Sequence, residues 1–121
     1  MSKKVLIVDD SSSMRQMVSF FLFFAGYDVV QAVYGKDALV KAAQAKVDIV
    51  VTDLNMPEMD GLELIRQLRA QASYRFVPVI MLTTESQESK KQEGKKAGAS
   101  GWIVKPFTPD QLVDTIKKFV K

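Results

Sequence analysis

The chain has 121 residues, 47% hydrophobic and 26% charged, with a formal net charge of +3; this suffices for one domain with its own core, is too little for two, and gives no signature of disorder. It contains no Cys and no His, which excludes a disulfide framework, a Cys or His metal site, a Ser-His-Asp triad and a phosphohistidine carrier. The longest apolar run, Phe20 to Ala25, falls far short of the ~20 residues that span a bilayer, Met1-Ser2-Lys3-Lys4 does not open a signal peptide, and no concentrated basic or aromatic reading element is present, so a cytoplasmic protein without membrane insertion or nucleic-acid binding is expected.

Lys4-Val5-Leu6-Ile7-Val8 is a near-continuous apolar run, as expected for a strand buried on both faces. Ser11 or Ser12 can cap a helix running to about Ala25, which Gly26 stops. Within it Met14, Met17, Val18, Phe21, Leu22 and Ala25 form the predicted buried stripe. Phe20 and Phe23 point away from that stripe, and Phe24 lies at its margin. Tyr27 to Ala32 reads as a second strand, Lys36 to Ala45 as a helix, and Asp48 to Thr52 as a third strand ending at Asp53. After a loop with Pro57 and Gly61 comes a helix over Leu62 to Gln71. Val79 to Leu82 is a fourth strand, Gln87 to Ala97 a polar, Lys-rich helix ended by Gly98, Gly101 to Val104 a fifth strand, and Asp110 to Val120 a last helix.

Five strand–helix alternations with apolar strands imply a parallel sheet covered by helices on both faces. Ligands of such sheets sit beyond the carboxyl ends of the strands. Asp9 and Asp10 end strand one, Asp53 strand three, Thr83 strand four and Lys105 strand five, so these residues converge on one edge. Singly, an Asp-Asp pair is an ordinary turn and helix cap, and Lys-Pro an ordinary strand stop. Jointly they form a site in which three carboxylates repel and need counter-charge. Lys105 supplies one positive charge. A hard divalent cation supplies the rest, and without His or Cys ligands that cation is Mg²⁺, with Mn²⁺ as the alternative.

Four segments carry a family resemblance: Val8-Asp9-Asp10-Ser11, Asp53-Leu54-Asn55-Met56-Pro57-Glu58-Met59-Asp60-Gly61, Met81-Leu82-Thr83 and Val104-Lys105-Pro106-Phe107. In them the chain resembles, over essentially its whole length, the receiver domain of two-component response regulators, and most nearly the CheY-type stand-alone chemotaxis regulators. The resemblance implies a flavodoxin-like (CheY-like) doubly wound sheet of five parallel strands in the order 2-1-3-4-5 with five helices. It implies a single receiver over residues 1–121 without an output domain. It further implies that Asp53 is the phosphoacceptor. Asp10, Asp53 and the Asn55 carbonyl would bind Mg²⁺, with Asp9 holding a water of the metal. Lys105 and Thr83 would contact phosphoryl oxygens, and the Lys105-Pro106 bond would be cis. Such a protein is not an enzyme in the usual sense: it catalyses its own phosphorylation and its own dephosphorylation, and Asn55 with Glu85 resembles the fast-resetting chemotaxis members.

The implied partners are a histidine kinase as phosphodonor, a downstream target such as a flagellar switch component, and a phosphatase. The protein would be a monomer, with a weak dimer as the alternative. Output would leave through an aromatic on the fifth strand, here Trp102 where the family carries Tyr or Phe. Lys90, Lys91, Lys95, Lys96, Lys117 and Lys118 would offer a basic face to an acidic partner. Phe20 and Phe23 would offer a contact site for a phosphodonor domain or a second copy. A phosphorelay intermediate or phosphate sink is the alternative within the family. From another class, a Mg²⁺-dependent aspartyl phosphatase would need a second Asp where Asn55 stands.

Overall fold

The computed structural model describes residues 3–56, 58–84 and 88–120. Its elements run β1 Lys4–Val8, α1 Ser12–Phe24, β2 Asp28–Ala32, α2 Gly35–Gln44, β3 Ile49–Asp53, α3 Gly61–Ala70, β4 Val79–Thr84, α4 Glu88–Ala97, β5 Gly101–Lys105 and α5 Pro109–Phe119, with a 3₁₀ turn at Ala72–Tyr74 before β4. The five strands form one sheet in the order β2-β1-β3-β4-β5, and every pairing is parallel. The fold class and strand order are those the sequence implies.

Local chemistry sets the boundaries. The Ser11 hydroxyl accepts from the Met14 N–H at 3.2 Å and starts α1. Gly26, at φ +96°, takes the left-handed conformation that ends it. Asp60 caps α3 by accepting from the Glu63 N–H. At α5, Thr108 and Gln111 bond reciprocally and Pro109 occupies the first turn.

The sheet divides the core into two layers. Val5, Ile7, Val51, Leu82 and Ile103 meet Val18 and Leu22 of α1 and Leu112 and Ile116 of α5. Leu6, Val8, Val50 and Met81 meet Ala38 and Ala42 of α2 and Leu64, Ile65 and Leu68 of α3 on the other side. This period-two division follows from strand geometry. The polar helix α4 joins the second layer with only Gly94 buried among its residues.

Two expectations change. Met17 (39% exposed) and Ala25 do not belong to the buried stripe of α1. That face of the sheet carries only α1 and α5, so α1 is covered on a narrow arc through Val18 and Leu22, with Met14 and Phe21 half-buried beside it. Phe24, expected at the margin, is 73% exposed. The 3₁₀ turn was not foreseen. It buries Tyr74, whose hydroxyl donates to Ala42 O at 2.7 Å and accepts from the Val47 N–H at 3.2 Å. The Arg69 guanidinium, beside it, donates to the carbonyls of Tyr74, Val77 and Gly98. Burial lowers its pKa, and these carbonyls replace the water it gives up.

Candidate functional site

At the carboxyl ends of β1 and β3, one carboxylate oxygen each of Asp9, Asp10 and Asp53 lies within 4.8 Å of the others. Asp9 and Asp53 are buried and Asp10 is exposed. Asp9 Oδ1 accepts from the Ser11 N–H at 2.9 Å, while Asp9 Oδ2 is buried without a hydrogen-bond partner among the described residues. Asp53 Oδ1 accepts from the Leu54 N–H at 2.9 Å. Lys105 Nζ stands 3.4 Å from Asp53 Oδ1 and 3.7 Å from Asp9 Oδ2, and the Lys105-Pro106 bond is cis, as expected.

Strand alternation assigns these groups to sides. Asp53 continues the parity of Val51, and Lys105 that of Ile103, both in the α1/α5 layer. Thr83 continues the parity of Met81, on the α2/α3/α4 side, as does Trp102, which pairs with Met81 in the register. Asp9, which continues the parity of Ile7, therefore shares one parity with Asp53 and Lys105, while Asp10, Thr83 and Trp102 continue the other.

Electrostatically the cluster is under-compensated. Burial raises the Asp9 pKa above the usual 3.8, and the negative charges of Asp53 and Asp10 add to it. The Ser11 N–H and Lys105 act in the opposite direction. A buried carboxylate oxygen that has an ion pair but no hydrogen bond among the described residues, within a three-carboxylate cluster, fits an oxygen-ligated divalent cation. Asn55, two residues beyond Asp53, is exposed. Thr83 is wholly buried, and its hydroxyl has no hydrogen-bond partner among the described residues.

The loop after β3 is shaped for close approach. A Cβ on Gly61 would meet Asp53 O at 2.4 Å and Leu54 Cα at 2.9 Å, so only glycine lets α3 start against the end of β3. The Gly61 N–H donates to Leu54 O at 2.9 Å in the same contact.

Trp102 is half-buried, and two ammonium groups of α4 stand over its ring: Lys91 Nζ at 5.4 Å and Lys95 Nζ at 5.2 Å from the centroid. The basic face is thus partly spent within the chain. Lys91 also pairs with Glu88 at 3.1 Å, its side chain only 15% exposed, and Lys90 pairs with Glu93 at 3.3 Å. Lys117 and Lys118 are exposed on α5. A groove of about 480 Å³ runs past Trp102, Val104, Lys105, Gln111 and Thr115.

Glu85 lies outside the described residues. Phe20 and Phe23 are exposed on α1, at 59% and 70%, away from the acidic cluster. One contributor has no motif to announce it: Arg15, one turn into α1, donates to Asp9 O at 2.7 Å. Its only sequence signal is a basic residue one turn beyond an Asp-Asp pair.

Residues 5–117 match the family described as response regulator receiver domain. The chemotaxis protein CheY1 of Helicobacter pylori is 41% identical over 116 residues, covering 94% of each chain. A chemotaxis protein CheY homolog of Campylobacter jejuni is 43% identical over 118 residues, covering 94% of this chain and 89% of its own. Among solved structures, Vibrio cholerae chemotaxis protein CheY4 superposes with a TM-score of 0.95 at 50% identity, covering 99% of this chain and 100% of that one.

Proposed function

We propose a working mechanism from one established premise: the chain belongs to the response regulator receiver domain family. It is a phosphorylation-activated response regulator of a two-component system, of the CheY type, and a signalling protein. In our reading Asp53 is the phosphoacceptor. Its carboxylate attacks the phosphorus of a phosphohistidine on a histidine kinase; the Asp53 O–P bond forms as the P–N bond of the donor breaks. The observation that carries this reading is the convergence of Asp9, Asp10 and Asp53 with Lys105 at one sheet edge.

Asp10, Asp53 and the Asn55 carbonyl would hold Mg²⁺ or Mn²⁺, with Asp9 one shell further out. That cation would neutralise charge on the phosphoryl oxygens and the crowded carboxylates. Lys105 acts from the other side of Asp53, as a fixed cation that costs no reorganisation when the phosphoryl group arrives. Thr83 supplies a buried hydroxyl that lacks a hydrogen-bond partner among the described residues and would gain one when a phosphoryl oxygen is near. Hydrolysis of the acyl phosphate, helped by Asn55 and Glu85, returns Asp53 to its resting form.

Output passes from Thr83 through the β4–β5 neighbourhood to Trp102. The Lys91 and Lys95 ammonium groups hold the indole in its present place. Any inward movement breaks both contacts, so the aromatic relay is slower to engage here than with a smaller phenol or phenyl ring. A downstream protein, in chemotaxis a component of the flagellar switch, docks along the groove beside Trp102, drawn by the Lys residues of α4 and α5.

The test is direct. With a small acyl-phosphate donor and Mg²⁺, intact-protein mass spectrometry should show one added phosphoryl group on the wild type and none on Asp53→Asn. A pull-down with and without beryllofluoride should then yield partners that need both the ligand and Asp53. Phosphorylation of Asp53→Asn at the wild-type rate would defeat the assignment.

A further inference from the structure

The face of α1 that turns away from the sheet carries three exposed Phe residues. Phe20, Phe23 and Phe24 are 59%, 70% and 73% exposed. Their rings touch one another, with centroids 4.7 Å apart for Phe20 and Phe24 and 5.9 Å for Phe23 and Phe24. They therefore form one preassembled aromatic patch rather than scattered side chains, with little rotamer entropy left to lose.

Three properties select its occupant. The first is position. Phe24 lies about 20 Å along the helix from the Ser11 cap, at ~1.5 Å per residue, so the patch sits toward the end of α1 remote from Asp53. A phosphodonor reaching Asp53 has no need of it. The second is charge. The only charged residue of α1 is Arg15, and it is engaged with Asp9 O. A face with no charge offers nothing to an anionic lipid surface, nor to a partner of opposite sign. It is instead the one kind of surface on a chain of net charge +3 where two copies can meet without like charges opposed.

The third is symmetry. Counted from Phe20, Met17 and Phe23 stand three residues away on either side, and Gln16 and Phe24 four residues away. All five are exposed. Spacings of three and four define a helix–helix seam. When two such helices pack antiparallel with Phe20 on a two-fold axis, Phe23 and Phe24 of each copy cover Met17 and Gln16 of the other.

We propose that this face of α1 is a homodimer contact, an antiparallel α1–α1 packing about Phe20 between two copies of the chain. The three Phe residues expose about 400 Å² per copy, taking a Phe side chain as roughly 200 Å². That is about half the ~800 Å² per partner of a standard interface, so the dimer is weak and concentration-dependent. It leaves α4, β5 and α5 uncovered, so self-association and output use different faces.

Sedimentation equilibrium over a concentration series to ~1 mM, the range a small interface requires, tests this. The wild-type mass should rise from 13.5 kDa toward twice that value. The Phe20→Gln/Phe24→Gln variant should stay monomeric with an unchanged circular dichroism spectrum. Dilution of the ¹⁵N-labelled wild type provides a second reading that needs no variant: amide shifts should move along Ser13–Phe24 and not along α4. A wild-type mass that stays at 13.5 kDa, association that continues past the dimer, or shifts on dilution centred elsewhere would each overturn the proposal. So would a well-folded double variant that still dimerises.

Discussion

Lys105 Nζ stands 3.4 Å from Asp53 Oδ1, and the same ammonium is 3.7 Å from Asp9 Oδ2. One cation is thus shared by two buried carboxylates that belong to different strands. It comes from the far edge of the sheet, since β5 is separated from β3 by β4.

Removing that cation should separate chemistry from folding. Lys105→Met keeps the aliphatic stem and deletes the charge. Phosphorylation of Asp53 by a small acyl phosphate should slow by about 10²-fold, the usual cost of losing one preorganised charge partner. Rapid-quench phosphorylation assays check this, and a rate within a few-fold of wild type would refute it.

Asp9 should show a signed pH dependence in metal-free protein. Its folded pKa is raised, chiefly by burial. Its contribution to stability is therefore fully present below the ordinary carboxylate value of 3.8 and is lost as pH rises through the higher folded value. Asp9→Asn, which cannot ionise, should match wild type in acid in the presence of a chelator and become progressively more stable than wild type above that range. Thermal unfolding across pH measures the difference. The same variant should bind Mg²⁺ more weakly, read by titration of Trp102 fluorescence. An equal Tm difference at every pH would contradict this account.

Thr83→Val should stabilise the resting protein while impairing its response. The native hydroxyl is buried without a hydrogen-bond partner among the described residues, and replacing such a group by a methyl of the same shape should gain about 1 kcal/mol. Yet in the proposed mechanism that hydroxyl is the one recruited by phosphate. The variant should unfold at higher denaturant and show a blunted Trp102 fluorescence change on adding beryllofluoride. A destabilised variant with a full fluorescence response would sink both halves of the argument.

Gly61→Ala should damage the fold at the end of β3. The new Cβ would fall 2.4 Å from Asp53 O and 2.9 Å from Leu54 Cα, backbone atoms that cannot step aside. Overpacking of this kind costs about 1–3 kcal/mol, measurable as a lower urea midpoint with an unchanged slope. A midpoint equal to wild type would mean that α3 can shift without cost.

Much of this was legible in the chain itself, for definable reasons. Strands buried on both faces must be apolar runs, so β1, β3 and β4 are visible as Val, Ile and Leu clusters. Caps are local, so Ser11, Gly26 and Thr108 mark helix ends within a residue or two. Parallel strands all end on one side, so Asp9, Asp10, Asp53, Thr83 and Lys105 could be assigned to one edge without coordinates. Less visible were contacts made across sequence by groups with no periodic signature. Tyr74 reaches Ala42 and Val47 from a 3₁₀ turn, and Arg69 gathers three carbonyls from two connections, α3–β4 and α4–β5.

By itself, then, the sequence determined the five-fold alternation, the edge where chemistry collects and the identity of its carboxylates, because these depend on period, caps and strand direction. Tertiary structure alone decided that, among the described residues, Asp9 Oδ2 and the Thr83 hydroxyl are buried without a hydrogen-bond partner, and that Lys91 and Lys95 both stand over the Trp102 ring. It also decided how much of α1 is covered. Periodicity gives the direction in which a side chain points from its helix. Burial depends on what the rest of the chain brings to that side, and beyond Val18 and Leu22 it brings nothing to cover Phe20, Phe23 and Phe24.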